Sequence, residues 1–415
     1  MNCSSVASQQ FPIRRNTALL GAANAVNSAV LQLVAAVSSL TFVLVTGVEG
    51  LLGLGPAIYL ASSGLAALPA GRLMDRIGRI PVISGGFVLV STGCAITALA
   101  TRTESVLAVL VGLSLIGAGS GIALLMRAAA GDMYPPERRA RGIAWVLFGA
   151  VFGAILGPAV FSPLFAGKEV EADALTVPWL AAAVFALVAL AIVLNVRPDP
   201  KVIAEHLSGT GRPTGPAAPL SELVRRPGVP TAMAAALASF AVMVSVMNLA
   251  GYVVVEHHHH DQEDVFPIIG AHVFGMFALV LVVGSIIDRV GRTPALASGL
   301  VLMGISCAGM LWGESVLATA ILLFGLGLGW NLSFVAATAL LADRTAPAER
   351  GKLLGFNDQL SALLGATLAL LGGIALDVLG VAALAIGAAV IVLAPIFWIL
   401  RRREAPRPRP AEVSP

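Results

Sequence analysis

An all-α membrane protein, with twelve transmembrane helices in two pseudo-symmetric six-helix bundles, is the fold class that this sequence predicts, and three observations predict it. Of its 415 residues 57% are hydrophobic and only 12% charged, with a mean hydropathy of +0.90, a balance that a soluble globular chain does not tolerate. Apolar stretches of the roughly 20 residues needed to cross a bilayer core recur along the whole chain. A short segment rich in glycine and arginine also occurs twice, once in each half.

Taken in order, the first six spans fall near 18–46, 50–70, 81–101, 105–130, 142–166 and 177–196. The second six fall near 229–255, 265–287, 294–312, 315–342, 354–377 and 379–400. Residues 1–196 therefore form an N-terminal bundle and 229–415 a C-terminal bundle with a short tail. Between them, 197–228 is the longest polar stretch, with Pro198, Pro200, Gly209, Gly211, Pro213, Gly215, Pro216 and Pro219, a composition that reads as a cytoplasmic linker. Met1 to Asn16 lacks the basic, apolar and small-residue order of a cleaved signal and reads as a cytoplasmic tail.

Basic residues give the orientation. With both termini inside, the inner segments hold Arg14 and Arg15, Arg72, Arg76 and Arg79, Arg127 with Arg138, Arg139 and Arg141, and the arginines of the linker and later loops; Arg102 and Lys168 alone fall outside. Such a bias retains the basic loops on the cytoplasmic side. The same scatter between apolar spans argues against nucleic acid as a partner. Cys3, Cys94 and Cys307 lie far apart and form neither a disulfide framework nor a zinc motif. No phosphate-binding glycine loop with Lys and Ser/Thr is present, which argues against ATP-driven pumping.

The repeated segment reads G-x-x-x-D-R-x-G-R. It is Gly71 to Arg79 after the second span and Gly284 to Arg292 after the eighth. Glycines allow a tight turn between two helices, and Asp and Arg can pair and cap helix ends. Two copies at equivalent places mark an internal duplication. This pair of loops resembles the signature of the major facilitator superfamily, over nearly the whole chain. The resemblance implies two six-helix bundles around a central path, working by alternating access without covalent chemistry. It makes Gly71, Asp75, Arg76, Gly78, Arg79, Asp288, Arg289 and Arg292 a conformational latch, where the plainer reading has them only fix topology.

Two further motifs bear on the cargo. Span seven carries Met243-x-x-x-Met247 and span eight His272-x-x-x-Met276. The i,i+4 spacing puts each pair on one helix face, and antiparallel neighbours at matching depth would bring the four side chains together. Thioether and imidazole suit a soft ion such as Cu(I), although methionine is also a common filler between helices. An ionisable side chain inside a span is a functional candidate; His272 is a ligand, a proton carrier or a histidine bonded to a neighbouring helix. The two motifs together resemble the CcoA-like copper importers, a branch of the same superfamily. That resemblance implies Met243, Met247, His272 and Met276 as copper ligands, with copper the transported substrate and no resident cofactor. Gly329-Trp330-Asn331 and Gly355-Phe356-Asn357-Asp358 resemble the same branch, and Asp358 is the candidate coupling carboxylate. Between the two spans, His257, His258, His259 and His260 stand among carboxylates at the outer mouth, where they would collect a metal ion rather than hold one.

Other signals point elsewhere. Gly149, Gly153 and Gly157-Pro158 in span five resemble the antiporter motif of drug-efflux members, in part only, since Ala144 and Phe161-Ser162 stand where glycines are expected. Small residues at that spacing also let helices approach closely. The expectation is thus a monomeric copper importer of a bacterial inner membrane, its partners copper and the lipid bilayer. The rivals are a proton-coupled carrier of an organic solute such as a drug or a vitamin, and a metal sensor that transports nothing.

Overall fold

In the bilayer core no water is available to satisfy backbone N–H and C=O groups, so a spanning chain closes its hydrogen bonds within each segment. The computed structural model describes residues 11–47, 54–165, 172–207, 218–252, 265–313 and 315–401. Every regular element among the described residues is helical. The first half is built from α1 (Ile13–Thr46), α2 (Leu54–Ile77), α3 (Arg79–Thr103), α4 (Val106–Leu124), α5 (Met126–Asp132), α6 (Arg139–Phe165) and α7 (Thr176–Val193). The short α8 (Pro200–Leu207) and α9 (Leu220–Leu223) follow. The second half holds α10 (Val229–Tyr252), α11 (Val265–Phe277), α12 (Val280–Val290), α13 (Arg292–Gly309), α14 (Val316–Asp343) and α15 (Pro347–Arg401).

Within the described residues each predicted span falls largely on helix, with three changes of outline. The fourth is broken at Leu125 into α4 and α5. The eighth is α11 and α12, bent by 41° at the break. The last two run together as α15, whose single non-helical residue is Gly380 at φ 78, ψ −177, a left-handed conformation that glycine adopts without strain. Among the described residues eight helices are long and apolar enough to cross a membrane alone, or nine with the bent pair as one. The duplication also shows at the far helix ends. Ser105-Val106-Leu107-Ala108 and Ser315-Val316-Leu317-Ala318 are the same four residues, and in both the serine hydroxyl accepts the alanine N–H, opening α4 and α14.

The linker is not featureless. Ile203 and Ala204 of α8 are fully buried. Asp199 caps α3, its carboxylate accepting Arg79 N–H at 3.1 Å and Ile80 N–H at 2.8 Å. The polar composition predicts a loose tether. It misses that one acidic side chain satisfies the orphan donors of a helix start.

The halves meet along two pseudo-equivalent pairs, α2 on α15 and α6 on α12. Backbone closeness shapes these seams: a Cβ at Gly71 would collide with the Gly351 carbonyl. Within the first half, α6 lies on α1, and a Cβ at Gly149 or Gly153 would collide with the carbonyls of Gly21 or Ala25. The glycine run that resembles an antiporter motif is thus an intimate helix contact.

Candidate functional site

A cavity of about 260 Å³ lies between the halves. The first half contributes a polar wall that includes Asn24, Asn27, Ser28 and Ser63, and the second an aromatic wall of Phe240, Phe277 and Trp330. Behind that wall the rings form a column. Phe277 meets Trp330 edge-on at 6.1 Å and Trp330 stacks on Phe334 at 4.7 Å. The Arg127 guanidinium then sits 4.5 Å over Phe334. Among the described residues, Asn27 Oδ1, Trp330 Nε1, Asp358 Oδ2 and Ser361 Oγ are buried without a hydrogen-bond partner. Their residues all line the cavity. Unpaired buried polar atoms are costly, and four of them fall on residues that line one cavity.

At one end of the cavity Arg127 of α5 and Asp358 of α15 join the halves, with Nη2 donating to Oδ1 at 2.5 Å and both side chains almost fully buried. Beyond them, at the arginine-rich end, the duplicated motifs take up mirrored positions. Asp75 pairs with Arg79 at 2.8 Å, and Asp288 with Arg292 at 2.6 Å, each across the glycine turn between two helices. Arg79 also donates to Asp132 at 2.8 Å and to the Pro347 carbonyl at 2.6 Å. Arg292 donates to Asp343 at 3.2 Å and to the Pro136 carbonyl. Arg350 closes on Asp132 at 2.7 Å, and Arg139 on Asp343 in the equivalent place. These contacts hold the halves together at this end.

Of the predicted latch residues, Asp75, Arg79, Asp288 and Arg292 carry this network, and Gly71 permits the close approach. Gly78 takes φ 105 at the turn into α3. Arg76 and Arg289, by contrast, present exposed side chains. The sequence reading missed Asp132, Asp343, Arg139 and Arg350 as partners. A signal was present: Pro136-Glu137-Arg138-Arg139 and Pro347-Ala348-Glu349-Arg350 repeat a proline three residues before an arginine, each after an aspartate.

The predicted metal residues are not brought together as expected. Met243 and Met276 line the one cavity. Met247, half-buried one turn further along α10, is not part of its lining. His272 is fully buried, with Nδ1 2.8 Å from the Leu323 carbonyl of α14. A carbonyl can only accept, so Nδ1 carries a hydrogen, and Nε2 has no partner among the described residues. The physical cause is packing. α10 lies mainly on α15 and α14, whereas α11 lies mainly on α14, so the two helices expected to be neighbours are separated by a third. His257 to His260 lie outside the described residues. Among those described, no group of three or more His, Cys, Asp or Glu side chains could hold a metal.

The family model for the Major Facilitator Superfamily matches residues 17–270 and 268–415. An uncharacterized transporter of that type from Bacillus subtilis, YdeG, is 33% identical over 336 residues, 79% of this chain and 77% of its own length. The riboflavin transporter RfnT of Brucella anthropi is 31% identical over 351 residues, 83% of this chain and 85% of its own. Among solved structures, the fold is shared with the human organic anion transporter MFSD10, at a TM-score of 0.73 and 18% identity over 94% of this chain and all of that one. It is shared also with the proton:xylose symporter XylE, at 0.74 and 15% over 94% and 95%. With its paired loops, duplicated halves and central cavity, the chain belongs to the major facilitator superfamily: it is a polytopic secondary transporter and not an enzyme.

Proposed function

We propose that this transporter carries a small organic solute with an unsaturated ring and several hydrogen-bonding groups. The observation that carries this reading is the two-faced cavity, with Phe240, Phe277 and Trp330 opposite Asn24, Asn27, Ser28 and Ser63. Rings stack on rings with about 0.5–1.5 kcal/mol beyond simple burial, while amides and hydroxyls select polar edges. The riboflavin transporter among its relatives, a carrier of one such molecule, supports it.

A second reading keeps copper as cargo, in the manner of the CcoA-like branch. It is favoured by Met243 and Met276 on one cavity and by His272, whose Nδ1–H on a backbone carbonyl leaves Nε2 free. That is the tautomer a metal-binding histidine adopts when its other nitrogen is held. Met247 would then join by rearrangement as the halves move, and the outer His257 to His260 would collect the ion rather than hold it.

In both readings the arginine-rich end faces the cytoplasm of a bacterial inner membrane, with both termini inside, residues 1–196 and 229–415 as bundles, and a single copy as the working unit. The paired motifs act as the latch that holds the cytoplasmic end shut while the cavity loads from the other side.

One experiment separates the cargoes. Cells lacking their own flavin and copper importers are given the intact protein, Trp330→Leu or His272→Gln at matched membrane abundance, and uptake of labelled riboflavin and of copper is followed. Flavin uptake that falls in Trp330→Leu and persists in His272→Gln supports the organic-solute reading. Copper uptake that needs His272, with no flavin uptake, replaces it by the second.

A further inference from the structure

A second cavity, of about 160 Å³, lies inside the second half, between α10 and the two arms of α15 on either side of Gly380. Val242, Leu384 and Ala388 form its buried floor, and Leu371, 53% exposed, stands at its mouth. Nine residues separate Leu371 from Ala362, which lines the central cavity, about two and a half turns of α15. The mouth therefore opens on the opposite side of α15, on the surface that a spanning bundle presents to lipid. Small residues make the space: a Cβ at Gly387 would meet nothing within 4 Å. The last span of the first half is packed with rings instead. Near the matching end of α7, Trp179 is fully buried with its Nε1 donating to Thr41 Oγ1 at 3.1 Å, and Phe185 lies against Phe161 at 5.5 Å.

The lining selects the guest. Among the described residues Ser245 is the one polar side chain on it, and its hydroxyl already donates to the Leu368 carbonyl at 2.9 Å. A buried water needs two to four polar partners, whereas a dry apolar cavity of this size takes a hydrocarbon. Depth favours a tail over a headgroup. Ala383 and Ile391 lie about 5 and about 16 Å along the helix from the Gly380 turn between the last two spans, at 1.5 Å per residue, and half of a bilayer core is about 15 Å thick.

We infer that this lateral cavity is a binding site for the acyl tail of a membrane phospholipid, which enters past Leu371 and braces α10 against α15. Hydrocarbon already surrounds the helices, so the gain is dispersion contact with walls that otherwise face a void. α10 is a partition between two spaces: Val242 and Ser245 face the lateral cavity, Phe240 and Met243 the central one. A seated tail thus backs the wall that meets the solute. The site is the same whichever cargo is carried.

The test needs no cargo. The purified full chain is placed in nanodiscs of phosphatidylcholine with a diazirine at the end of one acyl chain, irradiated, and its adducts are mapped by mass spectrometry. Val242, Leu384 and Ala388 are buried, so adducts on them report a tail inside the cavity, while Val390, 62% exposed, reports the surrounding lipid. The intact protein is expected to carry adducts at both. Gly387→Leu fills the space, and adducts on Val242 and Leu384 should fall severalfold while those on Val390 persist. If Gly387→Leu fails to fold, Ala383→Leu fills the same cavity from a neighbouring turn. No adduct on the three buried residues of the intact protein overturns the inference, and so do adducts there that survive the filling substitution undiminished. Labelling of Val242 that is as strong when the diazirine is moved to the headgroup overturns the assignment of a tail.

Discussion

Asp75 and Asp288 each bind backbone amides of a helix that belongs to the other half of the chain. Asp75 accepts the N–H groups of Gly351 and Lys352, at 2.9 and 2.7 Å, in the second turn of α15. Asp288 accepts those of Ala140 and Arg141, at 3.3 and 3.0 Å, in the first turn of α6. The N-terminal end of a helix carries the positive end of a dipole, which a carboxylate answers. Joining the halves at this end thus ties each carboxylate to the other half's helix, and parting them breaks both ties.

Losing the bonds of one such carboxylate costs about 0.5–2 kcal/mol. Asp75→Ala is expected to raise exchange at Gly351 and Lys352 by roughly threefold to thirtyfold and to leave Ala140 and Arg141 nearly unchanged. Asp288→Ala should do the reverse. Hydrogen exchange with local resolution checks the crossing, and equal effects at both helices in each variant would refute it.

Gly71→Leu puts a side chain against the Gly351 carbonyl, where even a Cβ collides. The two halves can then no longer meet along α2 and α15, and uptake of the cargo should fall by more than about tenfold at normal membrane abundance. Gly85→Ala is the control, because a Cβ there meets nothing within 4 Å. Transport in whole cells, with abundance by immunoblot, decides.

Trp330→Leu removes the middle of the ring column, and with it the stack on Phe334 under Arg127. Ring stacking is worth about 0.5–1.5 kcal/mol beyond burial, so binding of a ring-bearing solute should weaken by roughly twofold to tenfold. Equilibrium binding of flavin by fluorescence quenching measures it.

Glu349 ties the linker to α15. Burial raises its carboxyl, yet hydrogen bonds from Arg226 and from the Ala346 and Ala218 N–H groups outweigh this and hold it below the ordinary glutamate range. A lowered carboxyl contributes stability that is fully present above its unfolded value and is lost as pH falls through the folded one. The tie should therefore be intact at neutral pH and loosen only in acid. Glu349→Gln should lower the melting temperature at pH about 7 by roughly a degree or two and have no effect below the carboxylate range. A difference that persists in acid would show that hydrogen bonding and not charge is responsible.

How much of this was legible depended on the range of the signal. The helical spans and the paired motifs show in the sequence because hydropathy and the G-x-x-x-D-R-x-G-R repeat are local patterns. Arg127 with Asp358, and Asp132 with Arg350, join residues more than two hundred positions apart, and no local pattern reports them. The i,i+4 spacing of Met243 with Met247 and of His272 with Met276 places each pair on one face. It does not say which neighbour that face meets. His272 turned to the Leu323 carbonyl because α14 stands beside α11. The aromatic wall was illegible for the same reason: Phe240, Phe277 and Trp330 come from three different helices.

The long helix α15 runs without a break from Pro347 to Gly380. Its carboxylate-bound amide at Gly351 and its cavity residues Asp358 and Ser361 are about 10 to 15 Å apart along one axis, at 1.5 Å per residue. A rod of that kind cannot shift at one point only. Replacements that retune the cavity for a new cargo therefore also alter how firmly that tie seats, and the two traits cannot be inherited separately. Lineages that change cargo should then carry compensating changes at Gly71, Asp75 or Arg79, and laboratory variants with altered selectivity should be rescued by second-site revertants in that short turn.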